Sequence, residues 1–177
     1  MKNSEFKKRL IITGAGGSGK DYLRKSLQKR GFSFGVPFTT RPKREKEENG
    51  IDYFFISEEE HRSLLSAGFF YEHAYFNNWF YGTPENTFRS SNLFIMTPSS
   101  LKSLNDLDRS DSFIVYLDIE EETRRARLSA RNDADSTERR LHTDNLDFLN
   151  FGDYDLKITD PYFPISGDWT NPENYNP

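Results

Sequence analysis

From Gly14 to Lys20 the chain reads Gly14-Ala15-Gly16-Gly17-Ser18-Gly19-Lys20, a G-x-x-x-x-G-K spacing. Glycines placed this way let consecutive backbone N–H groups turn inward around an anion. The lysine after the last glycine can then reach the outer phosphates of a polyphosphate. A helix starting there adds its partial positive charge. The next position usually carries a Ser or Thr hydroxyl that meets magnesium, and here it is Asp21. A carboxylate is a hard oxygen donor for Mg2+, but it also sets a negative charge beside the phosphates. Nucleotide binding is therefore expected to depend on metal more strongly than with a hydroxyl. Arginines form two further groups. Arg41 and Arg44 sit in a basic loop, and Arg124, Arg127 and Arg131 fall at i, i+3 and i+7, one face of a helix. Taken alone, such runs are usually solvated, and Arg124 and Arg125 are expected to pair in that way with Glu120, Glu121 and Glu122.

Elements must bring these groups together. Arg9–Thr13 is a short apolar, β-branched run ending at the glycine loop, and Lys20–Lys29 carries Tyr22, Leu23 and Leu27 at helical spacing. Strand, glycine loop, helix is the opening motif. Tyr53–Ser57, Asn92–Met96, Ser112–Asp118 and Leu156–Thr159 are further strand candidates. Ser57-Glu58-Glu59-Glu60 has the capping-box pattern and predicts a helix to about Ala67. Helices are also expected over Glu120–Arg131 and Ser136–Asn150, separated by a polar break at Asn132–Asp135. Such alternation predicts an α/β fold with a mainly parallel sheet. Phe69–Phe76 and Trp79–Tyr81 flank Asn77-Asn78, which predicts a hairpin and an antiparallel lobe. Pro161–Pro177 holds four prolines and no helical period, so an extended strap or frayed end is expected.

Composition bounds the rest. The 177 residues fit one ordinary domain, and a net charge of -4 argues against a general nucleic-acid coat or bulk adhesion to anionic membrane. Aromatics reach 15%, too many for a disordered chain. No apolar run nears the roughly 18 residues of a membrane span, and charged Met1–Leu10 is not the pattern of a signal peptide. Without cysteine there is no disulfide or thiolate chemistry, and three scattered histidines leave little for metal binding through imidazole. A soluble, cytoplasmic protein, monomeric or homodimeric, is expected.

Four more strings sharpen the reading: Thr39-Thr40-Arg41-Pro42-Lys43-Arg44, Asn49-Gly50-Ile51-Asp52-Tyr53-Phe54-Phe55, Phe70-Tyr71-Glu72 and Phe80-Tyr81-Gly82-Thr83. With the glycine loop, their order and spacing over roughly residues 9 to 160 resemble guanylate kinase. The resemblance implies a P-loop NTPase-type parallel sheet flanked by helices (core 1–34, 84–121 and 137–177). It adds a small antiparallel NMP-binding lobe at 35–83 and a short helical lid at 122–136. In that frame the loop residues Gly14, Ala15, Gly16, Gly17, Ser18, Gly19, Lys20 and Asp21 would hold the phosphates of ATP, with the Asp21 carboxylate on Mg2+ in place of the usual hydroxyl. The resemblance places the acceptor phosphate on Arg41, Arg44, Tyr53 and Tyr81, guanine on Glu72, and a hydroxyl near the base at Thr83. Lys20 would bridge phosphates, and Arg127, Arg131 and a third lid arginine, Arg140 or its neighbour Arg139, would neutralise charge on the transferring phosphoryl group. The expected reaction is ATP to GMP or dGMP.

Several positions depart from that pattern. Pro37 stands where the family often has a serine, and Ile95 and Thr97 where it has Asp-x-Asp. The C-terminal helix is replaced by the proline-rich tail, and Asp160 stands where the family commonly has an asparagine near adenine. At this stage a P-loop kinase of another nucleoside monophosphate stays open, as does an inactive module that binds phosphorylated ligands through the acceptor pocket.

Overall fold

The computed structural model describes residues 8–131, 136–165 and 169. The readings at Met1–Lys7, the Asn132–Asp135 break and most of the tail beyond Ile165 lie outside them. Four parallel strands form the central sheet: β1 (Arg9–Gly14), β6 (Leu93–Ile95), β7 (Ser112–Leu117) and β8 (Leu156–Ile158), in the order β6-β1-β7-β8. The remaining strands are β2 (Phe38–Thr39), β3 (Phe54–Phe55), β4 (Phe70–Phe76) and β5 (Trp79–Pro84). They make a second sheet in the order β3-β2-β5-β4.

Every residue of β1 and β7 is buried, as a parallel sheet covered on both faces requires. Alternation then sorts the core. Leu10 and Ile12 join Val115, Leu117 and helix α1 (Lys20–Gln28) on one face, while Ile11 and Ile114 meet Phe88, Phe94 and Leu101 on the other. The expected strap belongs to this core: Phe163 and Trp169 are buried in the first cluster.

The second sheet is mixed rather than antiparallel, because β2 and β3 run parallel. Its hairpin is as expected. Asn77 and Asn78 both take positive φ (52° and 67°), the conformation that a two-residue turn between twisted strands needs. Helix α2 (Glu58–Ser66) starts on the full capping box, with Ser57 and Glu60 exchanging bonds.

Three short helices escaped the sequence reading: α3 (Glu85–Ser90), α4 (Pro98–Leu101) and α5 (Asp106–Ser110). Each is four to six residues, too short to show a period. Helix α6 covers Glu121–Ser129, so Arg131 lies beyond its end and does not complete the expected three-arginine face. Helix α7 (Thr137–Asp147) starts on Ser136, whose side chain accepts from the Arg139 N–H. No helix among the described residues is long and apolar enough to cross a membrane.

Candidate functional site

The glycine loop runs from the C-terminal end of β1 into α1, where parallel strands of an open sheet commonly present ligands. Its glycines are needed for two separate reasons. Gly19 caps α1 in the left-handed region (φ 101°). Gly17, at φ 79°, would push a Cβ to 2.9 Å from the Arg124 carbonyl oxygen. The first N–H groups of α1 have no acceptor inside the helix. Lys20 curls back over the loop, Nζ donating to the Gly14 and Ala15 carbonyls at 2.6 and 2.9 Å. Burial pulls its pKa down to about 8, against the opposing pull of Asp144 and Asp21. Asp21 remains exposed beside it, with Oδ1 3.7 Å from Arg24 Nε.

From this loop a cavity of about 240 Å³ extends to the second sheet. Gly14, Gly16, Gly17, Gly19, Lys20 and Asp21 form one end, and Arg41, Arg44, Tyr53, Glu72 and Tyr81 the other; Arg131 and Arg140 also line it. The resemblance-based set is therefore largely gathered in one space. Ala15, Ser18, Thr83 and Arg127 are not on that wall. Ser18 is fully buried, and Thr83 stands behind Glu72, donating to its Oε1 at 2.6 Å. Arg127 lies along a neighbouring groove with Tyr22, Tyr162 and Phe163, its guanidinium bonding the carbonyls of Gly17 (3.0 Å) and Pro161 (2.8 Å).

At the second sheet, β2 and the loop after it carry Arg41 and Arg44, while β5 carries Tyr81. Arg41 sits 5.3 Å from the Tyr53 ring centre. Glu47, which sequence reading missed, holds both arginines: Arg41 Nη2 is 2.6 Å and Arg44 Nη1 3.5 Å from its Oε1. Despite burial, that bond leaves Arg41 with a pKa above its ordinary value, so its charge is secure. Burial raises both Tyr53 and Tyr81, which stay neutral hydroxyls able to donate.

Glu72 faces inward by strand alternation: it and Ala74 are buried while His73 and Tyr75 are exposed, and the β4–β5 register slips just before it, between Phe70 and Glu72. Only 4% exposed, it bonds Thr83 through Oε1, and burial raises its pKa while the Ser100 and Thr83 hydroxyls oppose the rise. Ser100, on α4 and also lining the cavity, was not foreseen. Thr97 is not the end of a strand: β6 stops at Ile95, and Thr97 caps α4, its hydroxyl accepting from the Ser100 N–H. Pro37, Ile95, Met96 and Thr97 leave that end of the cavity without a second carboxylate.

Arg124 is not solvated. It is 5% exposed, with Nε donating to the Ile119 carbonyl and Nη2 to Asn145. Arg125 pairs with Glu121 at 2.7 Å and with Glu138, as expected of a surface residue. Asp160 accepts from the Tyr162 N–H in a local turn. Among the described residues no three His, Cys, Asp or Glu side chains form a metal cluster. A metal would have to share Asp21 with a ligand's own oxygens.

A model of the guanylate kinase family matches residues 6–143. The chain is 30% identical over 165 residues to guanylate kinase from Mycoplasma genitalium, 86% of this chain and 69% of that protein. It is 43% identical over 77 residues to guanylate kinase from Lawsonia intracellularis, 42% of this chain and 36% of that one. In four such relatives the chain spans only 36% to 58% of their length. The crystal structure of guanylate kinase from Anaplasma phagocytophilum superposes with a TM-score of 0.66 at 20% identity, covering 88% of this chain and 78% of that one. At that identity the likeness speaks for the fold.

Proposed function

The chain belongs to the guanylate kinase family, and from that premise we propose that it transfers the γ-phosphoryl group of ATP to GMP or dGMP. One observation carries the proposal: a single cavity joins the phosphate loop to an arginine–tyrosine grip and a buried carboxylate. Phosphoryl transfer needs alignment and charge stabilisation more than covalent chemistry. In this reading the donor's phosphates lie along Gly14–Asp21, its nucleoside in the groove beside Arg127 and Phe163.

The acceptor phosphate is held by Arg41 and Arg44, forked and pre-aligned by Glu47, with Tyr53 and Tyr81 donating. Each charge-assisted bond is worth about 1.5–3 kcal/mol. Guanine presents N1–H and the exocyclic amine side by side, two donors suited to the Glu72 carboxylate. The attacking phosphate oxygen is already ionised, so no general base is needed. Lys20, Arg131 and Arg140 neutralise charge on the group in transit, with Arg127 on the outer side of the loop. Asp21, an exposed hard oxygen donor at the cavity edge, would hold Mg2+ together with the donor's phosphate oxygens, and the ion would supply charge neutralisation of the polyphosphate. A cytoplasmic monomer or homodimer, with core 1–34, 84–121 and 137–177, lobe 35–83 and lid 122–136, belongs to the same proposal.

The test is magnesium–ATP phosphoryl transfer against a panel of ribo- and deoxyribonucleoside monophosphates, reading diphosphate product directly. Turnover confined to GMP and dGMP supports the proposal. Turnover on another base keeps the mechanism and overturns the guanine assignment. A folded protein inert on the whole panel would overturn the kinase reading in favour of a phospho-ligand module.

A further inference from the structure

The phosphate loop already holds an anion, and it comes from the protein itself. Asp144, on α7 one turn after Arg140, is 1% exposed, and its Oδ2 accepts from the Gly16 N–H at 2.8 Å. The approach is close: a Cβ on Gly16 would meet Asp144 Oδ2 at 2.9 Å and Arg140 Nη2 at 3.5 Å. Arg124 Nη1 lies 3.7 Å from the same oxygen, while Oδ1 is buried with no hydrogen-bond partner among the described residues. A carboxylate with an unsatisfied buried oxygen is costly unless its charge is balanced. Here the balance comes from buried Arg124 and from Lys20 and Arg140, two cations on the cavity wall that a phosphate would also use.

We propose that Asp144 is an internal stand-in for the donor phosphate, seated on the Gly16 amide when no nucleotide is bound and displaced when ATP arrives. This rests on the reading of the loop as the ATP site. Two anions cannot share a cradle of low dielectric without several kcal/mol of repulsion, so the polyphosphate must expel the carboxylate. Asp144 and Arg140 ride on the same helix, and its expulsion moves α7. Donor binding thereby sets the position of an arginine that faces the transferring group.

The inference predicts that removing the charge strengthens donor binding. Asp144→Asn and Asp144→Ser should bind ATP, with Mg2+ present, roughly five- to tenfold more tightly than the wild type by calorimetry. Asp147→Asn removes a charge from the same helix at an exposed position that does not line the cavity, and should stay within about twofold. In the wild type, saturating ATP should alter hydrogen exchange of the amides of residues 137–147, a readout that needs no variant to fold. Equal or weaker ATP binding by both Asp144 variants would overturn the proposal, making the carboxylate a structural support. Equal tightening by Asp147→Asn, or unaltered exchange in α7, would overturn it too. If neither wild type nor variants bind ATP, the donor-site reading falls and takes this inference with it. If the wild type binds but the variants do not improve, only this inference falls.

Discussion

Glu72 keeps a carboxylate where burial opposes its charge, and the reason for its presence must lie in what it meets. One oxygen is bonded to Thr83, and beyond the Ser100 hydroxyl that acts on the carboxylate, Oε2 has no close hydrogen-bond partner among the described residues. A site that leaves a buried acceptor bare discriminates strongly, because a ligand without matching donors leaves the penalty in place. Glu72→Gln should therefore lower the ratio of kcat/KM for GMP over AMP by roughly 10- to 100-fold, about 1.4 kcal/mol per factor of ten. An unaltered ratio would show that the base is read elsewhere. Asp21 is the opposite case, exposed and paired only loosely with Arg24. Its charge repels polyphosphate until a cation intervenes. ATP affinity should then rise more on adding Mg2+ in the wild type than in Asp21→Ser, and equal metal dependence by calorimetry would remove Asp21 from the metal site. Asp21 was singled out by its place after the loop lysine, and Glu72 through the family resemblance. Ser100 and Asp144 were not singled out, because their partners Glu72 and Gly16 lie far off in the chain; Glu47 lies only three and six residues from Arg44 and Arg41, but nothing in the spacing marks it above its neighbours Glu45 and Glu48.

At the scale of elements, α2 shows how local rules and packing cooperate. Its start was readable from Ser57 and Glu60, since a capping box satisfies two helix-end N–H groups within four residues. Its docking was not, because it depends on His61, a fully buried residue stacked between Phe70 and Phe80 at 4.9 Å from each ring. Burial, aided by the charge of His73, lowers the His61 pKa despite an opposing interaction with the Tyr81 backbone. The unfolded chain therefore takes up a proton more readily than the folded one. Stability is complete above the ordinary histidine value near 6.5 and falls as pH drops through it. Urea midpoints between pH 8 and 5 should decline in the wild type and flatten in His61→Phe; parallel slopes would exclude His61 as the acid-sensitive group. The short helices α3, α4 and α5 were invisible for a related reason. Each is held by long-range contacts, such as Asp108 on α5 meeting Arg9, Arg89 and Tyr71, rather than by a periodic face.

For the molecule as a whole, the question is which of the described residues cover the face of the core formed by β1, β7 and α1. The parallel sheet was readable because fully buried strands are continuous apolar runs. The tail was not, because prolines suppress any period and leave only scattered rings to judge. Two of those rings do the covering. Phe163 and Trp169 lie 5% and 3% exposed in the cluster formed by β1, β7 and α1. Phe163 also reaches the phosphate loop: its ring would stand 3.8 Å from a Cβ on Gly19, and it meets Tyr22 edge-on. Just upstream, the Pro161 carbonyl accepts from Arg127. Phe163 thus packs in the core and lines the groove beside Arg127. Trp169→Ala should cost about 3–5 kcal/mol of stability by urea denaturation, as large-to-small changes in packed cores do. Phe163→Ala should cost about as much and also weaken ATP binding under conditions where the variant is fully folded, with GMP binding spared. Were Phe163→Ala to lose stability alone, the strap would be a plug for the core and the donor groove would be shaped by the loop and Arg127 without it.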